Sequence, residues 1–217
     1  MEKKIMIIFV FNLVSLLGFS QSNYNDYTKK DTIGIFLDEF VTTEKNWNIR
    51  DNKYTMLQLS NSQLLLKSKD RRPSRGEQDI KINTSKDFEI ETKLKILSIN
   101  NPKDGHYMLW GANDKGNFMI GFNFKNEYTI FKWNDKQRKD HKITDFVNFT
   151  YSSYINKDDY NKLTIRKVGD YYYYFINENF IYKMPFEKFF GNTIGFQSAG
   201  SISVDFLRVS YLEKKNN

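Results

Sequence analysis

The 217-residue sequence predicts an all-β protein, a two-sheet antiparallel β-sandwich of the jelly-roll type. Three observations point there. Short apolar and aromatic runs alternate with turn signals roughly every ten residues, the spacing of sandwich strands. Aromatic side chains are abundant, 19 Phe and 14 Tyr against only 3 Pro, and such rings pack well on a pleated, half-buried surface. No long stripe of helical period follows the N-terminus.

The chain opens with "MEKKIMIIFVFNLVSLLGFSQSN". Lys3 and Lys4, an apolar run from Ile5 to Phe19, and the small residues Gly18 and Ser20 predict a secretory signal peptide over residues 1–20, cleaved after Ser20. Asn12 and Ser15 interrupt the run, and it is short for the roughly 20 apolar residues a spanning helix needs, so no membrane span is expected after cleavage. A secreted or periplasmic bacterial protein is the expectation. The absence of cysteine excludes a disulfide framework, a thiolate metal site and a lipidated cysteine. The domain must therefore be held by its core. The formal charge of +7 is spread through mixed stretches such as "KNEYTIFKWNDKQRKDHK", which reads as a solvated surface and not as a nucleic-acid footprint.

Residues 21–32, "QSNYNDYTKKDT", read as a flexible lead, residues 33–212 as the sandwich, and residues 213–217 as a polar tail. The domain begins with "IGIFLDEF", beside which Trp47 reads as a core anchor. The clearest strand is "DFEIETKLKIL": Phe88, Ile90, Leu94 and Ile96 share one face, Glu89, Glu91, Lys93 and Lys95 the other, and Thr92 is out of character. That pattern predicts a wet row for Glu89 and Glu91. A three-strand meander follows from "NKLTIRKVG" and "GDYYYYFINENFIYKM", and a final strand from "ISVDFLRVSYL", with Ile202, Val204 and Phe206 on one face. "MPFEKFFGN", Met184 to Asn192, predicts a helical turn, because Pro185 suits a first-turn position and Gly191 an exit.

Taken in order, "IFLDEF", "NWNI", "INTSKDFEIETKLKIL", "GHYMLWGANDKGNFMIGFNF", "YNKLTIRKVGDYYYYFINENFIYKMPFEKFFGNTIGF" and "ISVDFLRVSYL" resemble the concanavalin A-like lectin/glucanase superfamily. Within it the chain is similar to secreted bacterial sandwich domains of the 3-keto-disaccharide hydrolase and laminin-G-like groups. The resemblance implies two curved sheets, with a concave face that receives carbohydrate. It also implies a structural calcium near the first and last strands, with Asp38, Glu39 and Asp205 as its candidate ligands.

Catalytic signatures are weak. Retaining glucanases of this fold use a Glu-x-Asp-x-x-Glu strand, because two carboxylates about 5 Å apart serve as nucleophile and acid/base. The nearest stretch, Glu77-Gln78-Asp79-Ile80-Lys81-Ile82, ends in isoleucine. No nucleophile elbow or phosphate loop occurs. In "GHYMLWGAND", alternation sets His106, Met108 and Trp110 against Tyr107 and Leu109, and both faces are apolar. His106, Trp110, Asn123 and Trp133 are a mixture a sugar site can use, with rings stacking on pyranose C–H surfaces and amides bonding hydroxyls. Core packing is the competing reading for Trp110. Arg71, Arg72 and Arg75 of "KSKDRRPSRGEQ" would add contacts favouring acidic or sulfated glycans. The leading expectation is a secreted, non-catalytic module binding glycan or another envelope component. A sugar-active hydrolase or lyase and a structural, protein-binding module are its alternatives.

Overall fold

A computed structural model of the chain describes residues 23–29, 35–42, 45–70, 72–134 and 142–215, with the side chains of 142–144 excepted. The signal segment, its cleavage point and Arg71 lie outside the described residues. The strands, numbered along the chain, form two antiparallel sheets. One runs in the order β14 (Asn179–Pro185), β13 (Tyr171–Ile176), β12 (Asn161–Val168), β7 (Phe88–Ser98), β16 (Ser201–Lys214), β5 (Gln63–Ser68), β4 (Thr55–Ser60), β3 (Arg50–Asp51). The short β1 (Tyr27–Lys29) and β2 (Phe36–Asp38) also pair with β16, making ten strands. The other sheet has six, in the order β11 (Lys142–Tyr151), β10 (Glu127–Asn134), β9 (Gly116–Phe122), β8 (His106–Asn113), β15 (Thr193–Ser198), β6 (Ser74–Asp79). The all-β sandwich and the β12–β13–β14 meander are as the alternation predicts.

The inward faces meet in one core. Phe88, Ile90, Leu94 and Ile96 of β7 turn inward together, opposed by Trp110, Phe118 and Ile120 of the six-stranded sheet. Trp110 stacks on Phe118 of the next strand at 5.6 Å and reaches across to Tyr174 at 6.0 Å and Tyr172 at 6.3 Å. Trp47 is the anchor expected, packed on Phe196 and donating its indole N–H to Asp38 at 2.8 Å.

Thr92, the residue out of character, has a specific task. The pairing of β16 with β7 slips between Val204 and Phe206, and the Thr92 hydroxyl donates to the Phe206 carbonyl at 2.6 Å. A β-bulge inserts one residue and reverses the alternation beyond it. Leu207 and Val209 therefore take the inward positions, and Phe206 does not continue the Ile202–Val204 face as its spacing suggested.

Two further expectations are corrected. Residues 184–192 form no helical turn: β14 runs on to Pro185, and Phe186, Phe189 and Phe190 pack against the core. Their backbone donors are taken elsewhere, Phe186 N–H by the Asp170 carbonyl at 2.8 Å and Phe190 N–H by that of Gly111 at 2.9 Å. Burial of three phenylalanines outweighs the local preference for a turn of helix. The lead is likewise not loose over 23–29. Residues Asn23–Asp26 form a 3-10 turn and β1 pairs with the end of β16.

This strap explains a fourth correction. Glu89 and Glu91 are 1% and 3% exposed, although they lie on the outward face of β7. Tyr24 packs on Tyr173 and Phe175, each at 5.1 Å, while its carbonyl accepts from Arg166 at 2.9 Å. Lys29 closes over both glutamates, Arg166 Nε donates to Glu89 at 2.7 Å, and Lys162 stands 2.5 Å from Glu91. Burial raises the Glu91 carboxyl, but hydrogen bonds and charge from Lys162 and Lys29 outweigh it and hold that carboxyl below its ordinary range.

Candidate functional site

The inward turn of β8 removes two expected ligand residues from solvent. Trp110 and His106 are both 0% exposed and belong to the interior, so neither can stack on a ligand. The alternation of β8 is as read, but the face chosen was the core face. His106 Nδ1 shares a hydrogen bond with the Ser198 hydroxyl at 2.9 Å, and burial lowers its pKa from 6.5 to about 4. The folded state therefore binds its proton less readily than the unfolded chain. Stability from this group is complete above about pH 6.5 and is lost as pH falls towards 4, by about 3 kcal/mol in all. Denaturation followed across that window should show a steeper loss in the wild type than in His106→Gln.

Asn123 is 1% exposed and shapes the β9–β10 turn. Its carbonyl oxygen accepts from the backbone of Lys125 at 2.9 Å and Glu127 at 3.1 Å, and its amide donates to the Glu127 carboxylate at 2.7 Å. Its burial and these bonds commit it to the turn and keep it from a sugar hydroxyl. Arg72 binds Asp70 through two nitrogens at 2.9 and 2.7 Å and lies 4.2 Å from the Tyr54 ring centre, so its guanidinium is already engaged. The calcium ligand set does not fit either. Asp38 commits one carboxylate oxygen to the Phe40 N–H and the other to Trp47, while Asp205 faces Lys93 at 3.7 Å and Glu39 is exposed. Among the described residues no group of three His, Asp or Glu side chains is placed to hold an ion.

Two expected residues do reach one face, the outward side of the six-stranded sheet. Trp133 lies there opposite Asn117. Arg75 projects from β6, donating to the Gln197 side chain at 2.6 Å and standing 3.5 Å from Glu77. Register builds the remainder. Gln197 pairs with Arg75 on one side and Tyr107 on the other, and Tyr107 pairs with Gly121. One row therefore carries a guanidinium, an amide and a phenol on successive strands, with roughly 5 Å between strands. A parallel row sets Asp79 against Thr193, whose hydroxyl donates to it at 2.9 Å. Asn46, Glu77, Gln78, Asp79 and Thr193 line an open cleft of about 390 Å³ at this edge.

Tyr107 lies down against the sheet because two glycines make room. A Cβ at Gly121 would sit 2.4 Å from the Tyr107 ring, and one at Gly105 would sit 1.8 Å from its hydroxyl. Phe131 holds the ring edge-on at 5.4 Å. Burial first, then the charges of Asp104 and Asp145, push the phenol up to about 12, so it stays a neutral donor. Sequence reading missed Tyr107, Gln197 and Thr193. The available signal was the isolated glycine within β9, which marks a close approach.

Solved structures share this architecture. An endo-β-1,3-glucanase from Pyrococcus furiosus matches at 12% identity and TM-score 0.55, covering 88% of this chain and 99% of its own. A family 16 endo-glucanase from Bacteroides ovatus matches at 11% and 0.54, covering 81% and 99%. The CBM2 module of the evolved Dit of Lactobacillus casei BL23 phage J-1 matches at 10% and 0.55, covering 85% and 97%. At these identities the likeness is one of fold, and the fold is the concanavalin A-like jelly roll. No family model and no curated protein matches the sequence.

Proposed function

We propose that the protein is a secreted or periplasmic, non-catalytic module that binds carbohydrate on the outward face of the six-stranded sheet. The observation that carries the reading is the row Arg75, Gln197, Tyr107, which places a ring laid against the sheet beside planar polar groups. Pyranose rings offer the complementary pair of surfaces, C–H faces for the ring and vicinal hydroxyls for the amide and guanidinium. The fold neighbours include glucanases, proteins that act on glucan, which supports carbohydrate as the ligand class. Glu77 and Asp79 share a strand face, yet each is held by a neighbour, Glu77 by Arg75 and Asp79 by Thr193, an arrangement suited to holding hydroxyls. Export rests on the N-terminal pattern of Lys3, Lys4 and the run Ile5 to Phe19.

A glycan-array screen of the chain from Gln21, alongside Tyr107→Ala and Gln197→Ala, tests this. The wild type should retain at least one glycan, and Tyr107→Ala should bind it about tenfold more weakly without losing its fold. A blank array with folded protein would favour a protein-binding module. Sugar release from a bound glycan would favour the hydrolase or lyase.

A further inference from the structure

The chain as a whole carries a charge of +7, but four carboxylates stand on or beside the ligand face. Glu77 and Asp79 project from β6, Asp145 of β11 stands opposite Phe131 of β10, and Asp104 lies two residues before the start of β8. The Arg75 guanidinium is balanced by Glu77 at 3.5 Å. Asp104 and Asp145 are near enough for their charge to act on the Tyr107 phenol. An aromatic ring with carboxylates about it is the arrangement that recognises an ammonium group, through the ring quadrupole and Coulomb attraction together.

A second observation comes from Asn117. It sits on the outward side of β9 opposite Trp133, at the level where Asp79, Thr193 and Ala112 form a row. Its side chain is fully buried, and neither amide atom has a hydrogen-bond partner. A buried amide with both donors and its acceptor idle is rare in a folded protein. Because that amide is closed to solvent, a ligand hydroxyl or amine reaches it only if this row shifts on binding.

We infer that this face takes a glycan bearing free, protonated amines, an oligomer of the glucosamine type, in preference to neutral or sulfated chains. The inference rests on the carbohydrate reading above and narrows it. It also reverses the preference for acidic or sulfated glycans that the arginine-rich loop suggested. Arg72 is spent on Asp70 and Arg75 is balanced by Glu77, whereas a sulfate at the cleft would meet like charge.

Calorimetric titration of the chain from Gln21 with four probes tests it: a glucosamine tetramer, an N-acetylglucosamine tetramer, cellotetraose and a sulfated galactan tetramer. The glucosamine tetramer should bind about tenfold more tightly than either neutral probe, and raised salt should erode that advantage. Asp104→Asn with Asp145→Asn should remove the advantage while leaving neutral binding and melting temperature unchanged. Equal or tighter binding of a neutral or sulfated probe would overturn the inference and leave the carbohydrate reading standing. Binding of none of the four, with a lysine-rich peptide bound instead, would overturn both.

Discussion

Replacing Glu91 by alanine is expected to lower the free energy of unfolding by about 3 kcal/mol or more, with no direct effect on ligand binding. A glutamate on the polar side of an alternating strand would ordinarily be worth under about 0.5 kcal/mol. The difference arises because the strap and its neighbours bury the carboxylate among Lys29, Lys162 and the more distant Arg208. Removing the acid takes away the carboxylate these cations share, leaving Lys29 with Glu89 and Lys162 with the exposed Glu178. Lys29→Met should cost less, about 1 kcal/mol, since that ammonium is one-third exposed and Lys162 remains beside Glu91. Urea denaturation of the two variants gives the order directly. Equal, negligible losses would show that the strap does not seal this face.

Trp110→Ala should cost about 3–5 kcal/mol, the range for emptying a large aromatic site in a packed core. Its ring fills space between Phe118 on its own sheet and Tyr172 and Tyr174 on the other, so neither sheet can close the void alone. Trp110→Phe keeps most of the volume and should cost less. Both variants should bind ligand like the wild type at temperatures where they remain folded. A stable Trp110→Ala that had lost ligand would place the ring outside.

What the sequence made legible follows from what period-two alternation can and cannot decide. It locates β7, the β12–β14 meander and β16, because one face of each is apolar throughout or nearly so. On β8 both faces are apolar, and alternation alone gives the partition without saying which side is inside. There Trp110 drew attention as the largest ring, although size favours burial, and the smaller Tyr107 is the residue on the outward face. Glu89 and Glu91 misled for a related reason. Alternation gives the face a residue occupies, whereas burial also depends on what crosses that face, and residues 23–29 come from the far end of the chain. The Gln197–Arg75 and Thr193–Asp79 pairings join residues more than a hundred positions apart, so only the register of β15 on β6 reveals them. Thr92 was visible as an exception, but its role depended on a bulge in β16.

The claim most worth testing is that ligand lies on the outward face of the six-stranded sheet, around Tyr107. Amide and side-chain NMR shifts of the chain from Gln21, recorded as the glucosamine or the best array-selected oligosaccharide is added, address it directly. Changes should concentrate at Arg75, Gln197, Tyr107 and Thr193, with the Asn117 side-chain amide shifting with them and Tyr24 and Arg166 unmoved. Changes centred on the strap and on the outward face of the ten-stranded sheet would contradict it.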